Sequence, residues 1–251
     1  MFFTYDHLVL RYEPFPIGLA KPLIEPSLYQ ELLANYPPLE KFAYLPKVGH
    51  KYTLSEKSNP GQYHDIVRNA PIWRRFHRWI KSDAFVVGVM DALRERSVDL
   101  GYAGRMPTKT RLRKFGRNLR RGRLDWGPND LRARFEFSML PADGGSVIPH
   151  SDSLEKIVTL VVSMATEGEW KSTYGGGTDV NRHKDPTRSF NLLNRRAEFD
   201  EMEIIDSYPF EPNQAVIFVK TYNSWHSVRP MQGAGSKAMR RTLTINIEED
   251  R

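Results

Sequence analysis

IPHSDSLEKIVTLVVSM, residues 148–164, places His150 and Asp152 two apart, just ahead of a long β-branched run. In extended backbone, residues i and i+2 point to the same face. Imidazole and carboxylate are therefore expected side by side on one strand. Together they make two thirds of a metal site in which two histidines and one carboxylate occupy a triangular face. His-x-Asp also recurs by chance in long chains. The rest of the sequence has to supply a second histidine and a scaffold to hold it.

The scaffold is legible around the motif. RFEFSML (134–140), KIVTLVVSM (156–164), EMEIID (201–206), QAVIFVK (214–220) and RTLTINI (241–247) are short β-branched or aromatic runs. Gly, Pro, Asp and Asn clusters separate them, as expected of strands joined by turns. They lie too close together for helical crossovers, so the array reads as a sandwich, barrel or jelly roll. The first hundred residues read differently, with helices dominating. PSLYQELLANYPP (26–38) has proline near its start and a double-proline stop. Residues 72–98 read as two helices, with Ser82-Asp83 as the cap between them. The expectation is one domain over 1–251, with a helix-rich support over about 1–125 and a β core over about 130–251.

Composition limits the function classes. With 40% hydrophobic and 12% aromatic residues in 251, the chain can bury a sizeable core and does not read as disordered. There is no cysteine, which excludes disulfides, thiolate metal sites and a cysteine nucleophile. The start, MFFTYDHLVLRYEPFP, has no basic n-region and makes a poor signal peptide. No apolar stretch approaches the roughly 18 residues of a membrane span. The expectation is a soluble, cytoplasmic protein; its oligomeric state is left open.

Net charge is +7, and much of the excess lies in RLRKFGRNLRRGR (111–123). Leu112, Phe115 and Leu119 sit at helical spacing within it. The favoured reading is a solvated helix face whose apolar stripe packs on the domain. The sharper alternative is a landing strip for an anionic substrate, nucleic acid or membrane surface. Aromatic residues are not interleaved as they would be on a base-stacking platform.

Of seven histidines, His226 is the one placed just after a strong strand, QAVIFVK. A second His-x-Asp, His183 and Asp185 in NRHKDP, lies in a polar segment with no flanking strand to make it rigid. The last strand alternates. Arg241, Leu243, Ile245 and Ile247 share one face, and Arg240, Thr242, Thr244 and Asn246 share the other. A polar row of that kind suits a pocket, where Arg240 can hold a carboxylate with Thr242 beside it. In the first strand Phe135, Phe137 and Met139 share one face, and Arg134, Glu136 and Ser138 the other.

These motifs resemble the iron(II)- and 2-oxoglutarate-dependent dioxygenases. His150, Asp152, His226 and Arg240, fourteen residues later (240 − 226), stand in the family's order. LPADGGSVIPHSD is similar to the turn leading into the His-x-Asp of the prolyl-hydroxylase-like branch. GGGTDV (175–180) and PNQAVIF (212–218) are similar to strands of the same branch. The resemblance covers about 134–248. It implies a double-stranded β-helix, a cupin-like jelly roll, with iron on His150, Asp152 and His226. It also implies 2-oxoglutarate held by Arg240 and Thr242, dioxygen as the second co-substrate, and stimulation by ascorbate. The reaction would be hydroxylation of an unactivated C–H bond with release of succinate and CO2.

Three features bear on which member of the family the chain is like. Asp152 favours hydroxylation over halogenation, because related halogenases have a small residue there. Leu140 stands where prolyl hydroxylases often carry a tyrosine that helps hold the co-substrate. Ile247, Glu248, Glu249 and Asp250 follow Asn246 where a nucleic-acid demethylase carries a second arginine, which argues against a nucleic-acid partner. Arg134, Glu136 and Ser138 are the candidate substrate-binding residues. Either Arg134 and Glu136 meet substrate or they pair with each other. The substrate reads as polar, with anionic, sugar-containing and amino-acid-like small molecules all candidates. A protein substrate of the prolyl type and a non-catalytic carbohydrate-binding jelly roll are the alternatives.

Overall fold

Alternating side chains let the long strands face two environments at once, and that division organises the fold. The structure is a computed structural model describing residues 1–101 and 131–249, with positions 112, 115, 116, 119 and 120 between them. Most of the basic strip 111–123 lies outside the described residues. Within it Leu112 and Leu119 are exposed and Phe115 is half-buried.

In chain order the first elements are β1 (Val9–Arg11), β2 (Ile17–Ala20), α1 (Pro26–Ala34), β3 (Ala43–Leu45) and β4 (Lys51–Ser55). Three helices follow, α2 (Pro60–Asn69), α3 (Pro71–Ile80) and α4 (Asp83–Arg94). Next come β5 (Leu131–Pro141), β6 (Val147–His150), β7 (Lys156–Ser163) and β8 (Thr178–His183). The chain continues with β9 (Met202–Tyr208), β10 (Ala215–Val219), β11 (His226–Val228) and β12 (Met239–Glu249).

Two antiparallel sheets result, one ordered β1-β2-β10-β7-β12-β5-β4-β3 and the other β6-β11-β8-β9. From β5 to β12 the chain passes back and forth between them, with only β8 and β9 following one another in the same sheet. That is the double-stranded β-helix, the jelly roll of two Greek keys. The first hundred residues add more than helices. β1 and β2 extend the larger sheet beyond β10, and β3 and β4 extend it beyond β5.

Proline at the first helical position starts α1, α2 and α3, where its missing N–H costs nothing. In α3, Ile72, Trp73, Phe76 and Ile80 are buried along one stripe. Ser82 precedes α4 as expected, but its hydroxyl donates back to Trp79 O at 2.6 Å instead of capping the helix. The α3 stripe packs on the outer face of the larger sheet. Trp73 lies 4.6 Å from Phe137 and Phe76 lies 5.1 Å from Phe135, ring centroid to centroid, both edge-on. Leu243, Ile245 and Ile247 of β12 belong to the same core. Because that face is buried against the helices, the alternate residues of β5 and β12 must point into the space between the sheets.

Replacing Trp73, which is fully buried, removes the side chain that joins α3 to β5. Trp73→Ala is expected to cost about 3–5 kcal/mol, read as a lower urea midpoint at constant slope. A cost below about 1 kcal/mol would mean that the helices do not hold the outer face of the sheet.

Candidate metal and co-substrate site

β6 pairs antiparallel with β11, and His226 stands directly opposite His150. Asp152 is reached differently from the expectation. β6 ends at His150, and Asp152 takes a left-handed backbone with φ 69°, a region aspartate tolerates better than most residues. The carboxylate therefore reaches the imidazoles by a turn, not along an extended strand. His150 Nε2 lies 3.6 Å from Asp152 Oδ1, and His226 Nε2 lies 4.0 Å from Oδ2. One ligand atom from each of the three lies within 4.8 Å of the others, the one such group of three among the described residues.

The imidazoles are oriented for ligation. His150 Nδ1 is 3.0 Å from Ile148 O, and His226 Nδ1 is 2.9 Å from Ser224 O. A carbonyl can only accept, so Nδ1 carries the proton in each ring and the Nε2 lone pair faces Asp152. Burial, reinforced by His150, pushes the His226 imidazole down to about 3, which keeps it neutral as ligation requires. Burial opposes ionisation of Asp152. The Lys156 ammonium in contact with it is the largest opposing influence, and the carboxyl is held well below its ordinary range.

Lys156 was missed from sequence. It opens β7, and its Nζ donates to Asp152 Oδ1 at 2.6 Å, while Thr159 Oγ1 donates to Oδ2 at 3.0 Å. The only signal was the position of Lys156 four residues beyond Asp152, and nothing there marks a turn that folds one onto the other.

The triad lines a cavity of about 220 Å³ together with Arg240, Thr242, Arg134, Glu136 and Ser138. The strand parity expected for β5 and β12 therefore holds. Arg240 is buried, its Nε donates to Gly176 O, and its guanidinium lies 4.8 Å from the Phe210 ring centroid. No carboxylate among the described residues forms an ion pair with it. Burial lowers its pKa to about 10, opposed by the nearby Asp179 carboxylate, which is itself in contact with Arg229. Gly176 permits the approach, because a Cβ there would meet Trp170 at 3.0 Å and Arg240 Cδ at 3.2 Å. Arg241 points the other way and pairs with Glu169.

Arg134 and Glu136 do not pair with each other. Arg134 binds Glu248 through two hydrogen bonds, at 2.9 and 2.6 Å, and Glu136 pairs with Lys51 of β4. His183 also differs from expectation, because it ends β8 and is buried. Its Nδ1 accepts from the Asp185 backbone N–H, while the Asp185 carboxylate accepts from Thr187, so the pair closes a turn. A larger cavity, about 460 Å³, is lined by Trp170, Tyr174, Phe210 and Arg229 and contains none of the triad.

The chain matches no family model and no curated protein. Solved structures do match it. The non-heme alpha ketoglutarate dependent epimerase SnoN from nogalamycin biosynthesis is 12% identical, with 95% of this chain and 78% of that one covered at a TM-score of 0.52. The two share a fold. A Pseudomonas putida prolyl-4-hydroxylase is 14% identical over 93% of this chain and 92% of its own, with a TM-score of 0.48. HygX from Streptomyces hygroscopicus, solved with nickel and 2-oxoglutarate, is 8% identical over 92% and 82%, with a TM-score of 0.49. Among the described residues, no helix is long and apolar enough to cross a membrane.

His226 and Asp152 both bind protons less readily folded than unfolded, so they stabilise the fold most at higher pH. The His226 contribution is complete above 6.5 and lost as pH falls toward about 3. That of Asp152 is lost below the ordinary carboxylate value of 3.8. In the metal-free chain, His226→Gln should flatten the decline in unfolding free energy between pH 6.5 and 3. An unchanged slope in urea titrations would mean that the imidazole is not held neutral.

Proposed function

We propose that the chain is an iron(II)- and 2-oxoglutarate-dependent oxygenase that hydroxylates an unactivated C–H bond of a polar small molecule or sugar-containing substrate. The observation that carries this reading is one cavity lined by three convergent metal donors and by a buried guanidinium with no carboxylate in ion-pair contact among the described residues. Two imidazoles and one carboxylate suit a divalent first-row metal and leave coordination positions open. The guanidinium of Arg240, in ion-pair contact with no described carboxylate, suits the far carboxylate of a dicarboxylate co-substrate. The fold shared with an alpha ketoglutarate dependent epimerase accords with this reading.

His150, Asp152 and His226 would hold the iron through Nε2, a carboxylate oxygen and Nε2. Iron, 2-oxoglutarate and dioxygen together supply the oxidising power for C–H hydroxylation, with succinate and CO2 released. Ile148 O and Ser224 O keep the Nδ1 protons and so fix both rings. Thr159 and Lys156 hold the Asp152 carboxylate in the ring of ligands. Arg240 and Thr242 take the far carboxylate of 2-oxoglutarate. Arg134, Glu136 and Ser138 face the same space as substrate contacts. Arg134 and Glu136 are already paired, so they offer hydrogen bonds more than net charge. Asp152 fills the position a halide would need, which selects hydroxylation. Ascorbate is expected to stimulate turnover.

The test is succinate release with 2-oxoglutarate, iron(II) and a panel of polar substrates. His150→Ala and His226→Ala should abolish turnover and keep the fold, while His183→Ala should remain active. Arg240→Ala should weaken 2-oxoglutarate by about 2–5 kcal/mol, since it removes a charged partner of a carboxylate. Arg241→Ala should leave the requirement nearly unchanged. Equal effects of the two arginine substitutions, or full activity without His150 and His226, would contradict the reading.

A further inference from the structure

A second cavity, about 260 Å³, meets the first along the His150–Asp152 edge of the triad. We propose that it receives the substrate through a phosphate group docked on Lys47 and Arg196; this rests on the oxygenase reading and names the substrate class for it. The volume is small for a ligand pocket, so it fits a small molecule and not a folded partner.

Charge selects the ligand. Lys47, Lys51, Lys156 and Arg196 line the cavity, against Asp152 as its one carboxylate. Lys156 is engaged by Asp152 and Lys51 by Glu136. Lys47 and Arg196 are exposed and have no ion-pair partner among the described residues. Two uncompensated positive charges thus remain at the mouth of the candidate site. A phosphate monoester carries about −1.5 to −2 near neutral pH and matches both, whereas a single carboxylate leaves one unmatched. The guanidinium can take two phosphate oxygens in a fork, with the ammonium as a point charge beside it.

A second, uncharged feature points to a ligand at the same place. Asn194 lines the cavity, and its Oδ1 is buried without a hydrogen-bond partner. Buried polar atoms in native structures are seldom left unsatisfied. A hydrogen-bond donor on the ligand, a hydroxyl or an N–H, would satisfy this acceptor.

The walls are held to the metal-bearing strand. Lys47 lies in the turn between β3 and β4, and that turn is fixed where Ser146 N–H donates to Gly49 O at 3.1 Å. Gly49 has φ 64°, and a Cβ on it would fall 2.0 Å from Ser146 O, so only glycine permits the contact. On the other wall, Ala197 N–H donates to Pro149 O at 3.1 Å, next to His150. Both cationic walls are therefore positioned by the segment that carries His150. A phosphate held there leaves the rest of a small substrate beside the triad.

The test titrates the metal-free full chain with inorganic phosphate and, separately, with acetate, at low and high salt. Phosphate should bind in a salt-sensitive manner, and acetate about ten-fold more weakly. The Lys47→Gln, Arg196→Gln double variant should lose about ten-fold in phosphate affinity at an unchanged melting temperature. Manganese(II) and 2-oxoglutarate should bind the variant and the parent alike. Phosphate binding that survives the double substitution belongs elsewhere, for instance to the strip 111–123 or to Arg240, and overturns the proposal. So does the absence of phosphate binding, or acetate binding as tightly. Failure of the parent chain to bind manganese and 2-oxoglutarate would overturn the oxygenase reading separately, whatever the phosphate arm returns.

Discussion

The antiparallel pairing of β6 with β11 sets His226 across from His150, and the candidate chemistry depends on that register. Side chains on a strand alternate with period two, so a slip of one residue would turn His226 out of the cavity. β11 is held from both sides, because its other neighbour β8 places Val180 opposite His226. β12 obeys the same constraint. Arg240 faces the cavity because Leu243, Ile245 and Ile247 are committed to the apolar core under the helices. A one-residue slip there would bury Arg241 and expose the aliphatic row to the cavity. Hydrophobic burial outside the jelly roll thus fixes the orientation of the polar row inside it.

That logic explains what the sequence disclosed. β5, β7, β10 and β12 are rich in β-branched or aromatic residues and lie between turn residues, so their existence and the parity of β5 and β12 could be read directly. His150, Asp152, His226 and Arg240 flank or lie on such segments. The strands β1, β2, β3 and β4 could not be read, being three to five residues long and formed only by addition to an existing sheet edge. α2 was silent for a different reason. PGQYHDIVRN buries only Tyr63 and Val67, too few apolar positions to establish a period.

The charge pairs lay beyond sequence reasoning altogether. Arg134 and Glu248 are 114 residues apart, and Lys51 and Glu136 are 85 apart, so only the fold brings them together. Their effect on the site is large. Asp152, Glu136 and Glu248 each have a cation in contact, while among the described residues Arg240 has no carboxylate in contact. An interior that pairs its other charges and leaves one guanidinium over is poorly arranged for stability alone, since an unpaired buried ion is costly. The arrangement makes physical sense as a receptor for an anion beside a metal.

A crystal structure of the chain grown with manganese(II) and 2-oxoglutarate, with anomalous scattering recorded for the metal, tests that claim most directly. The account predicts one anomalous peak bounded by His150 Nε2, His226 Nε2 and the Asp152 carboxylate, with the far carboxylate of 2-oxoglutarate on Arg240 and Thr242. Metal at His183 and Asp185, or 2-oxoglutarate bound away from Arg240, would contradict it.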